Sequence, residues 1–186
     1  MVNLPDMKTL LFLSLAAAAP LAAASLAAQT PSTPVASAFR EQADRMARNL
    51  TAAADDMPVA KFGFKPTPPQ MSWGAVVLHV ATDNEIGCAG VGGVPVPQEP
   101  KLTPADSAAK LVARLKRSFA FCHTAFASLD DSKLGEQVPF FDNYQVSRAE
   151  GMFERVDDWA DHYSQMAIYL RLNGILPPTA RPRKKS

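Results

Sequence analysis

The sequence lacks most of the short motifs that announce a chemistry. It has no Cys-x-x-Cys pair, no Gly-x-Ser-x-Gly elbow and no His-Glu-x-x-His zinc helix, and its one glycine cluster, Gly90-Val91-Gly92-Gly93, follows a helical pattern. A dinucleotide fingerprint needs a longer glycine pattern placed after a strand, so that cofactor class is excluded. No stretch alternates apolar and polar residues long enough to build a sheet, and no internal repeat is present. A broad basic field is also missing. Lys and Arg number 19 against 18 acidic residues, and four of those cations lie in Arg181 to Ser186, leaving 15 against 18 in the rest. A mildly acidic body with a short basic tail (179–186) does not suit a phosphate backbone, so nucleic acid is not an expected partner.

What is present is an ordinary globular composition, 47% hydrophobic and 20% charged in 186 residues, room for one domain. Residues 1–28 read as a signal peptide. Lys8 precedes the apolar run Leu10 to Leu15, Pro20 interrupts the alanine-rich stretch that follows, and Ser25 and Ala27 suit a cleavage site. The run falls short of the ~20 strongly apolar residues of a membrane span. The expectation is a periplasmic or secreted protein with no stable membrane span after cleavage.

After a Pro/Ser/Thr linker (29–37), four helical patterns fill residues 38–178. Phe39, Ala43, Met46, Leu50 and Ala53 mark the first, over Ala38 to Asp56. The second, about Met71 to Gly90, is apolar on every face around Ala75 to Ala81 except at His79, and the glycines from Gly90 onward end it. The third opens with Thr103 as N-cap, Pro104 and Asp106 in its first turn, and carries Leu111, Leu115, Phe119, Cys122 and Phe126. A polar loop to Asn143 leads to the fourth, about Ser147 to Asn173, with Met152, Val156, Trp159, Tyr163, Met166 and Leu170 on one stripe. The fold class is all-α, a four-helix bundle. The link between the second and third helices is long enough to return along the bundle, so those two helices can run parallel.

Only three histidines and two cysteines are available for chemistry. His79 interrupts the most apolar stretch, where an imidazole needs a hydrogen-bond or metal partner. His162 follows Asp158 by four residues, so the two side chains leave one helix face a turn apart, at the border of the apolar stripe. That spacing can chelate one divalent ion and also occurs as a plain solvated pair. Cys88 and Cys122 form either a disulfide, if their helices run parallel, or two buried thiols. His123 falls on a helix flank, about 100° away from Cys122, and does not form a nucleophile pair with it.

His79 after Ser72-Trp73-Gly74 and the loop Lys65-Pro66-Thr67-Pro68-Pro69, with His162-Tyr163-Ser164-Gln165 running into Tyr169 to Pro178, resembles the DinB-like family of metal-binding bundles. The resemblance covers about Phe39 to Pro178 and implies an up-down-down-up bundle. It also implies a divalent metal, zinc or nickel-like, held by one histidine of the second helix and two of the last. Carried over, the ligands are His79, Asp158 and His162, with aspartate where the family more often has histidine; a carboxylate remains an acceptable ligand. Asp83 is a partner behind the ligands, a fourth ligand or a polar helix-end residue. The resemblance implies metal-assisted hydrolase or thiol-transferase chemistry on a small molecule, with a non-catalytic binding role as the alternative, and a homodimer is compatible with it. No residue stands out as a general base. Tyr163, Gln165 and Arg171 are candidates only to orient a substrate.

Overall fold

The computed structural model describes residues 33–182. The signal peptide expected over 1–28 and the last four residues of the basic tail lie outside the described residues. Four helices make the body: α1 Pro34–Asp56, α2 Trp73–Gly92, α3 Ala108–Ala125 and α4 Arg148–Leu172. Two three-residue strands, β1 Gln137–Pro139 and β2 Gln145–Ser147, pair antiparallel ahead of α4.

α1 starts four residues earlier than its periodicity indicates and takes in the end of the expected linker. Pro34 suits a first helical turn because its missing N–H has no helical partner to lose. The cap comes from far along the chain: the Asp131 carboxylate accepts from the N–H groups of Val35 (3.1 Å) and Ala36 (2.9 Å). α2 is capped by Ser72, whose hydroxyl accepts from Ala75 N–H at 3.2 Å. It runs through Gly90, where the sequence suggested it would stop, to Gly93 in the left-handed region at φ 67°. Gly90 is there for close approach, since a Cβ would stand 2.3 Å from the carbonyl oxygen of Pro139.

The expected start of α3 is also corrected. Thr103 closes a turn on Asp106, donating its N–H to that carboxylate at 2.9 Å, and the helix begins only at Ala108. The loop before α4 holds the β1/β2 hairpin, with Val138 opposite Val146 and both buried. One buried residue per strand is too short an alternation to stand out in sequence. α4 matches its expected span and is capped by Ser147, which accepts from Glu150 N–H at 3.2 Å.

Contacts fix the directions. Gly74 meets Leu111 at the start of α2 and α3, and Cys88 is disulfide-bonded to Cys122 near their ends, with Cα atoms 5.1 Å apart, so these helices are parallel. The alternative left open for the cysteines therefore resolves as a disulfide. α4 opposes α2: Trp73 lies against Tyr169, Trp159 Nε1 donates to Asn84 Oδ1 at 2.7 Å, and Val91 meets Gly151. α1 opposes α3, with Arg40 donating to the Leu129 carbonyl at 2.8 Å and Lys116 paired to Asp55 at 2.8 Å. The bundle is up-down-down-up. The returning link is tied down by Arg114, which donates to Pro100 (2.7 Å) while its guanidinium pairs with buried Glu85 (2.6 Å). No described helix is long and apolar enough to cross a membrane.

Candidate metal centre

α2 and α4 carry two i,i+4 pairs in opposite order: histidine then aspartate on α2, aspartate then histidine on α4. Because the helices are antiparallel, like faces like. The rings of His79 and His162 are 4.9 Å apart at their centroids. Within each helix the pair closes on itself: His79 Nε2 faces Asp83 Oδ2 at 3.2 Å, and His162 Nδ1 faces Asp158 Oδ1 at 3.3 Å. His162 Nδ1 also lies 2.8 Å from the Asp158 carbonyl. Of the three residues expected to share a site, the structure brings His162 against both His79 and Asp158.

Their surroundings differ from the expectation for His79. Its side chain is 42% exposed, because α1 sits diagonally across the bundle and leaves that face of α2 open. An open cleft of about 540 Å³ runs along it, with Asp83, Asp158 and Arg155 inside and Phe140, Phe141 and Tyr144 of the hairpin turn as a wall. Tyr163, Gln165 and Arg171 do not line this cleft. The Tyr163 phenol instead bonds Thr179 at 2.9 Å, and Arg171 turns back toward the Ala167 carbonyl. His123 is exposed beside Asp44 and belongs to another face.

Arg155 lies on the same flank as the Asp158/His162 pair in the sequence pattern, but its burial and its hold on Asp158 emerge only from the structure. Its guanidinium is buried, donates from Nη1 to the Asp83 carbonyl at 3.1 Å, and sets Nη2 3.1 Å from Asp158 Oδ2. That contact has the separation of an ion pair but not the alignment of a hydrogen bond, so Asp158 Oδ2 and Arg155 Nε are both buried without a hydrogen-bond partner. The only signal in the sequence is an arginine three residues before Asp158, a spacing common on solvated helices.

The electrostatics follow from this crowding. Burial opposes ionisation of Asp158, but the hydrogen bond from His162 and the charge of Arg155 outweigh it and hold the carboxyl below its usual value. Burial likewise works against a charged His162, and its bond to Asp158 with that residue's charge overcomes it, raising the imidazole. Asp83 is pushed up by burial; His79 pulls it down, and the neighbouring Asp158 adds to the rise.

The DinB superfamily profile matches residues 42–166. The chain belongs to the DinB superfamily. Among solved structures, a DinB-like protein of Bacillus cereus ATCC 10987 is 16% identical, with a TM-score of 0.63 over 76% of this chain and 95% of that one. The DinB-like protein YjoA of Bacillus subtilis is 14% identical, with a TM-score of 0.64 over 78% and 99%. A histidine-to-alanine mutant of a mycothiol-dependent maleylpyruvate isomerase is 12% identical, with a TM-score of 0.58 over 70% of this chain and 60% of that one. At these identities the likeness is one of fold. No curated protein matches the sequence.

The donor types at this DinB-superfamily cleft suit a divalent ion: two imidazoles, a carboxylate, and a second carboxylate one step away. Asp158 Oδ2 is a buried acceptor that accepts no hydrogen bond, and the cation it already faces is the Arg155 guanidinium at 3.1 Å. Among the described residues no three His, Cys, Asp or Glu side chains already converge on one point, because each donor is turned to its own neighbour.

Proposed function

We propose that this DinB-superfamily protein holds a divalent ion, zinc or nickel-like, between α2 and α4 through His79, Asp158 and His162, and acts on a small molecule in the cleft beside it. The observation that carries the reading is the meeting of His79 and His162, rings 4.9 Å apart, next to a carboxylate with an orphaned oxygen. With the Asp158 carbonyl accepting from Nδ1–H of a neutral His162, Nε2 keeps its lone pair for a ligand. A bound ion supplies Lewis acidity toward water or a thiol, the chemistry of hydrolases and thiol transferases. The thiol dependence of one structural relative, the mycothiol-dependent isomerase, supports that reaction class. The hairpin aromatics wall off the apolar side of the cleft, and Asp83 supplies a further acceptor there.

Zinc titration of metal-free protein tests the site. His79→Ala is expected to abolish binding, and Asp158→His to keep or tighten it, since histidine restores the family's more common ligand. Equal affinity for wild type and His79→Ala overturns the proposal. A non-catalytic role has one observation in its favour, the pairing of every donor inside the bundle. A closed four-ligand shell including Asp83 in the zinc-loaded protein selects that reading, and an open coordination position selects the enzyme.

Export belongs to the same proposal. The Cys88–Cys122 disulfide supports an oxidising compartment, in line with the apolar N-terminal sequence. N-terminal sequencing of protein from its native host checks it: a start between Ser25 and Thr30 is expected, and an intact Met1 or Met7 refutes it.

A further inference from the structure

Arg155 is the most deeply buried charged side chain among the described residues, 1% exposed. Its housing is built for it. α2 has a glycine at position 87, where a Cβ would stand 2.6 Å from Arg155 Cδ and Nε. The rings of Phe140, Phe141 and Trp159 surround the guanidinium with centroids at 5.9, 5.2 and 5.9 Å. The Asp83 carbonyl takes one of its N–H groups. The carboxylate of Asp158 is thereby divided, Oδ1 toward His162 and Oδ2 toward Arg155.

We propose that Arg155 is a fixed internal cation that sets the metal affinity of this cleft, orienting the Asp158 carboxylate while competing with a divalent ion for its charge. The proposal rests on the metal site described above. A guanidinium cannot yield by losing its proton, as a lysine can. Nor can it swing away, with Gly87 behind it and three rings around it. An ion sharing Asp158 therefore sits close to a permanent positive charge in a poorly screened setting, and the repulsion weakens its hold. The consequence is an exchangeable ion instead of a permanently locked one. Arg155 is a positioning residue here and touches no substrate.

The test is a competition titration of Zn2+ against a chromogenic chelator at one pH, with thermal melts to establish that each variant is folded. Arg155→Met keeps an unbranched apolar stem in place of the arginine's and removes the charge; it is expected to tighten zinc binding by about tenfold or more. Gly87→Ala crowds Arg155 at Cδ, Nε and Cζ and forces the guanidinium out of its present seat without deleting the charge, and is expected to tighten binding by a smaller factor. Unchanged or weaker binding in folded Arg155→Met overturns the proposal; if that variant does not fold, the same result in Gly87→Ala does so. His79→Ala separates the two levels of the argument. If it loses zinc while the Arg155 and Gly87 variants show no gain, the metal site stands and the role of Arg155 falls. If it binds zinc as wild type does, the ion lies elsewhere and both fall.

Discussion

Removing the Cys88–Cys122 link by the double substitution Cys88→Ala/Cys122→Ala measures how firmly α2 is held in place. The bond joins residues 34 apart in sequence. Closing a loop of that length removes roughly 13 cal/mol/K of chain entropy from the unfolded state, about 4 kcal/mol at 25 °C. Alanine is the right replacement because both positions are buried, at 0% and 2% exposure, and a serine hydroxyl would add a desolvation cost of its own. The protein should remain folded. Glu85 still pairs with Arg114, and Asn84 still donates to Ser118 at 3.0 Å, so α2 and α3 keep two polar clamps. In guanidinium chloride, with a denaturant slope of about 3–4 kcal/mol/M, the unfolding midpoint should fall by about 1 M. Wild type in excess reductant should approach the variant, and the variant itself should not respond to reductant. A midpoint within about 0.3 M of oxidised wild type refutes the reasoning, because it leaves the link with no more than about 1 kcal/mol.

Two further outcomes follow from single contacts. Gly90→Ala places a methyl group against the Pro139 carbonyl, where a Cβ would stand at 2.3 Å, and neither backbone yields cheaply. A loss of about 1–3 kcal/mol is expected, with faster amide exchange over residues 137–147 than over α1; uniform exchange across the chain contradicts it. In metal-free protein the raised His162 contributes stability fully below its ordinary pKa near 6.5, and that contribution is lost as pH rises through its higher folded value. The depressed Asp158 contributes above its ordinary 3.8 and loses that contribution as pH falls through its lower folded value. The pair is therefore worth most between about pH 4 and 6.5, and the stability gap between wild type and His162→Gln should be wide at pH 5 and shrink as the pH rises through the folded value of His162. A gap that stays flat through that rise contradicts the assignment, since Asp83 titrates in both proteins.

The helices were legible to unequal degrees. α4 could be read almost to the residue because Met152, Trp159, Met166 and Leu170 make a stripe with polar residues behind it, and Ser147 caps it. α2 has no such stripe. Its apolar run indicated burial on every side, and nothing local showed that the bundle leaves the His79 face uncovered. The starts of α1 and α3 shifted for reasons the local sequence does not hold: a cap supplied by Asp131, 95 residues beyond Ala36, and a turn in which Asp106 binds Thr103 instead of opening the helix. The hairpin was invisible for a related reason. Its strands are fixed by α4, whose Arg148 N–H donates to the Glu136 carbonyl at 2.8 Å and whose Ala149 N–H donates to Leu134 at 3.0 Å.

The site itself shows how a register is set by the core and used at the surface. Trp159 Nε1 reaches Asn84 Oδ1 inside the bundle, which pins α4 against α2 at one level. From that level His79 lies five residues back on a descending helix and His162 three residues on along an ascending one. At about 1.5 Å per residue, both stand on the same side of the clamp and differ in height by only about 3 Å. Asp83 and Asp158 each lie one residue before the clamp and straddle it with a similar offset. A slip of α4 by one helical turn, about 5.4 Å, toward the C-terminal end of α2 would put the imidazoles about 8 Å apart in height and bring His162 level with Asp83. A buried polar bond is weak evidence for stability, but it is well suited to excluding such slips, because an apolar core alone tolerates them. Asn84, with Ser118 on its other side, therefore does for the site what no cleft residue can do: it decides which residues of α2 and α4 face each other.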